Sequence, residues 1–157
     1  MNDKHLIGHA NLVVRKAEVV PVWDWPVEAT EKSGKKVRTG EVVIRVTVEN
    51  TGKRPAGVSR TSIAMIKPQS ADFLDSIETP EIAEGRDFAI ESKKLMLKDP
   101  GAIVILADAP VGNSAEGMVR EHGTLTTHAG EMDNAFAFPY DGREMESARE
   151  YNNPAVH

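Results

Sequence analysis

The chain has 157 residues, 40% of them hydrophobic and 27% charged, a mix that suits one soluble domain and excludes collagen, wholesale disorder and a membrane-spanning bundle. Lys and Arg number 19 against 24 Asp and Glu, a formal charge of −5 that repels a phosphate backbone and argues against nucleic acid as a partner. The absence of cysteine rules out disulfides, thiolate metal sites and a cysteine nucleophile.

In chain order, Met1 to His9 carries no apolar stretch of the roughly 7 to 15 residues that a secretory signal needs. The expectation is a protein with no signal peptide, made in the cytoplasm, with residues 1–10 as an N-terminal arm. No window approaches the roughly 18 consecutive apolar residues of a membrane helix, so no membrane insertion is expected. Ala10 to Pro21, with Leu12, Val14, Val19 and Val20, predicts one long edge strand with a kink or bulge. Val42 to Val48 gives the clearest alternation: Val42, Ile44, Val46 and Val48 share one face, and Arg45, Thr47 and Glu49 the other.

Asn50-Thr51-Gly52 and the following Lys53 to Gly57 supply a turn before Val58 to Ile66 resumes an extended run that Pro68 ends. Ser70 to Ile77, with a candidate Ser cap and apolar Phe73, Leu74 and Ile77, predicts one or two helical turns. Phe88 and Ile90, then Leu95 and Leu97, predict a strand that changes phase midway. Ala102 to Ala107 is apolar on both faces, as a central strand covered on its second side would be. Asn134 to Phe138 is the last predicted strand, with both Phe side chains on one face and Pro139 closing the sheet region. Gly142 to Tyr151 is polar and helix-tolerant, and residues 140–157 are read as a tail ordered only against a neighbour.

The reading is an all-β fold, an antiparallel β-sandwich of about seven strands over residues 11–139. A more specific likeness lies in Ile44 to Gly57, where alternating valines run into Asn50-Thr51-Gly52 and a small-residue loop. This stretch resembles the second-strand signature of the cell-adhesion-related domains found in bacteria, an immunoglobulin-like family. Ile82 to Phe88 with Gly85, Gly101 to Pro110, and Glu131 to Asn134 are similar to the family's later turns. The likeness spans roughly Asn11 to Phe138 and implies an immunoglobulin-like sandwich. Trp23 to Gly40, Gln69 to Pro80 and Gly112 to Gly130 depart from it as enlarged loops.

For function, the sequence holds no Gly-x-Ser-x-Gly, no His-Glu-x-x-His and no phosphate loop, so the chain is read as a non-enzyme without cofactor. His122 and His128, with Asp108, Glu131 and Asp133 near in sequence, are the candidate divalent-metal ligands, since imidazole and carboxylate together suit such an ion. Their loop spacing matches no metal template, and solvated histidines explain them more simply. Trp23 and Trp25 fall on one side of an extended segment and offer either a flat platform for a glycan or partner, or a cover for the end of the core. Lys35 and Lys36 sit in a basic cluster that can pair with an acidic neighbour or simply be solvated. Tyr140 and Tyr151 are the candidate contact residues of the tail. Together these point to a structural or adhesive module, an accessory or decoration subunit of a larger assembly such as a phage virion. Its expected partners are other protein subunits, copies of itself included, with a glycan as the alternative ligand.

Overall fold

The computed structural model describes residues 9–24, 37–108 and 135–156. Eight strands run through these residues: β1 Leu12–Asp24, β2 Val37–Asn50, β3 Ser59–Lys67, β4 Ser70–Thr79, β5 Asp87–Glu91, β6 Gly101–Leu106, β7 Ala135–Tyr140 and β8 Arg149–Asn152. They form two antiparallel sheets of four, ordered β5-β2-β1-β8 and β4-β3-β6-β7, and there is no helix among the described residues. The fold is a β-sandwich. Alternation builds its core: Val14, Val19, Ile44, Val46 and Val48 of one sheet meet Ile63, Met65, Ile103, Ile105, Phe136 and Phe138 of the other, all buried. The outer face of the second sheet carries a separate buried cluster of Ala64, Ile66, Val104, Leu106 and Ala135. That second cluster is why β6 is apolar on both faces, as its sequence predicts.

The expected helix at Ser70–Ile77 is strand β4, and Gln69 to Pro80 is no loop. The β3–β4 hairpin closes at the Lys67–Ser70 pair, and its register slips between Ile63 and Ala64, whose partners Asp75 and Phe73 leave Leu74 as the extra residue. A bulge shifts the phase of a strand by one. Phe73 therefore joins the outer cluster while Leu74 and Ile77 pack on the inner core, a spacing that imitates a helical stripe.

The other departures are at the edges. β1 is not an edge strand, because β8 pairs with its Lys16–Val19. Residues 140–157 are therefore not the tail that was expected: Tyr140 ends β7 and Tyr151 lies in β8. The bulge between Val14 and Lys16 frees two main-chain carbonyls, and Asn153 closes both, its Nδ2 donating to Val14 O at 2.8 Å and its N–H to Arg15 O at 2.9 Å. Tyr151 stacks on Phe138 with centroids 4.1 Å apart, so this end of the chain seals one side of the core.

The predicted phase change after Ile90 is a break at Ser92. Its Oγ accepts the Ile44 N–H at 2.9 Å and donates to Lys93 O at 2.8 Å, after which Leu95 exchanges both main-chain bonds with Val42. Since Val42 spends both groups on Leu95, its cross-strand partner Pro21 faces away from β2, where the missing N–H costs no ladder bond. Pro21 thus lies within β1. It also guards an open stretch of edge, as Pro139 does in β7 and as Asp72, Asp75 and Glu78 do in β4.

Candidate functional site

A pocket of about 220 Å³ opens at the end of the sandwich where β1 finishes and β2 begins. Val42, Leu97, Tyr140 and Met145 give it an apolar floor, and Glu41, Lys98, Arg143 and Glu144 a charged lip. Three local devices shape it. The Val42–Leu95 bridge holds the segment that carries Leu97 and Lys98 against β2. Gly142 turns the chain with φ +76° and passes so close that a Cβ there would stand 2.7 Å from Lys98 O, which favours glycine twice over. The Tyr140 hydroxyl donates to Leu97 O at 3.2 Å, and burial pushes that hydroxyl's pKa up.

Asp141 fixes the turn between β7 and β8. Its carboxylate accepts Arg149 Nη1 at 2.9 Å, the Arg143 N–H at 2.9 Å and Arg143 Nε at 3.0 Å. The Arg149 guanidinium first, then the Arg143 main-chain and side-chain donors, hold this carboxyl well below the usual carboxylate range. Arg143 is thereby occupied. Among the described residues, no hydrogen bond or ion pair engages the Glu41 carboxylate or the Lys98 ammonium.

A second depression of about 260 Å³ shares Leu97 and Lys98 with the first and adds Lys67, Asp72, Met96 and Asp99. Lys67 bridges Asp72 at 3.1 Å and Asp99 at 3.2 Å, and those two carboxylates raise its pKa. Met96 is 53% exposed, with its sulfur 3.6 Å from where a Gly40 Cβ would stand. Trp23, 40% exposed, lies beyond Val22 at the same end. Exposed apolar groups and two depressions thus share one end of the molecule.

Of the residues singled out from sequence, the structure places Trp23 here and leaves part of its surface open. Trp25, Lys35, Lys36, His122, His128, Glu131 and Asp133 lie outside the described residues, as do 1–8 and 112–130. Asp108 is described, with φ 53°, and no group of three His, Cys, Asp or Glu that could hold a metal occurs among the described residues. Tyr140 is buried at the end of β7, where it contributes to the pocket floor, and Tyr151 is half-buried and stacked on Phe138. Sequence reasoning missed Glu41, Lys98 and Met96. Nothing local marks them, because the bridge from Val42 to Leu95 spans residues far apart in the chain.

No protein-family model matches the chain, and no curated protein matches it. Among solved structures, β-glucosidase 3B from Thermotoga neapolitana in complex with glucose is similar to it. The likeness covers 92% of this chain and 17% of that one, with a TM-score of 0.43 and 10% identity. It carries no argument about function. The site's own chemistry is an apolar cavity whose lip carries Glu41 and Lys98, both unengaged among the described residues, an arrangement suited to recognition.

Proposed function

We propose that this chain is a non-enzymatic structural or adhesive module that works through surfaces, as an accessory or decoration subunit of a larger assembly such as a phage particle. The observation that carries the reading is the apolar-floored pocket at one end of the sandwich, with the exposed Met96 and the partly exposed Trp23 at that same end. Large apolar side chains left in water beside a pocket are the usual mark of a protein-binding surface. Pro139 on edge strand β7 and the acidic side chains on edge strand β4 support docking by side chains over docking by added strands at those two edges. The immunoglobulin-like, cell-adhesion-related affinity belongs to the same reading and rests on the Ile44–Gly57 signature.

Sedimentation of extracts from the cell that makes the protein tests it. The chain, 17.1 kDa alone, is expected to travel with a far larger particle, and Trp23→Ala to shift it toward light fractions. A chain that travels alone in both forms overturns the proposal. The alternative of a glycan ligand at Trp23 and Trp25 predicts a glycan-array signal that Trp23→Ala abolishes. The alternative of a metal-dependent enzyme subunit using His122 and His128 predicts a rise in thermal stability with added zinc.

A further inference from the structure

We draw no further inference here: the strongest candidate, the apolar-floored pocket at the end of the sandwich lined by Val42, Leu97, Tyr140 and Met145, belongs to the site already described, and nothing among the described residues shows what fills it.

Discussion

Asn50 is fully buried, and replacing it with Ala should loosen one whole end of the sandwich. Its Nδ2 donates to Arg54 O at 2.7 Å and Ile82 O at 3.0 Å, while its Oδ1 accepts the Asn11 N–H at 3.1 Å and the Gly52 N–H at 3.0 Å. One amide thus joins the start of β1, the turn after β2 and the strand segment at Ile82. Each bond contributes about 1 kcal/mol net, and an orphaned buried group costs more. Ile82 O keeps a second donor in the Ala56 N–H at 2.9 Å, and three of the four bonds are only partly buried, so water recovers some of the loss. The expected destabilisation by Asn50→Ala is about 2–4 kcal/mol, measured by urea unfolding, with a fall in Tm of roughly 5–15 °C. Asn50→Asp keeps the acceptor, loses both donors and buries a charge, so at neutral pH it should be at least as damaging. A loss below about 0.5 kcal/mol for Asn50→Ala would refute the claim that this amide holds the end together.

Removing residues 149–157 deletes β8, the ring stacked on Phe138 and both bonds from Asn153, and should cost at least about 3 kcal/mol in denaturant unfolding. Unchanged stability would restore these residues to the status of a tail. Phe138→Ala opens a cavity between Phe136 at 5.4 Å and Tyr151 at 4.1 Å, with an expected loss of about 3–5 kcal/mol by the same measurement. Asp141 has a folded pKa below its usual 3.8, so its contribution is present above that value and is lost as pH falls through the folded one. Asp141→Asn should therefore lower Tm at neutral pH and flatten its fall in acid, and parallel Tm–pH profiles for the two proteins would contradict that. Lys67 has the opposite sign: its pKa is raised by Asp72 and Asp99, so its contribution holds below the ordinary 10.5 and fades as pH rises through the raised value. Lys67→Met should flatten the alkaline fall in Tm.

Much of the fold was legible because burial on a pleated surface leaves a period of two. Val42 to Val48, the two Phe of β7 and the doubly apolar β6 each behave as their pattern predicts. Misreadings arose where a bulge broke that period. Leu74 as an extra residue turned a strand into an apparent helix, and the bulge at Val14–Lys16 concealed the need for Asn153 that draws the end of the chain into the sheet. Of the candidate site, Trp23 was visible from its setting among prolines. Glu41, Lys98 and Met96 were not, since each is ordinary in its own neighbourhood.

Local alternation and turn chemistry by themselves determined that this chain is all-β, where most strands run, and which side chains face inward. Those properties depend on residues next to one another, and the pleat converts them directly into a face. Tertiary structure alone decided that β8 covers β1, that Tyr140 and Tyr151 serve the core, and that Val22, Leu97 and Met145 surround one cavity. Those are pairings between distant segments, set by which carbonyls a bulge leaves unpaired and which apolar faces remain to be covered, and no local pattern encodes them.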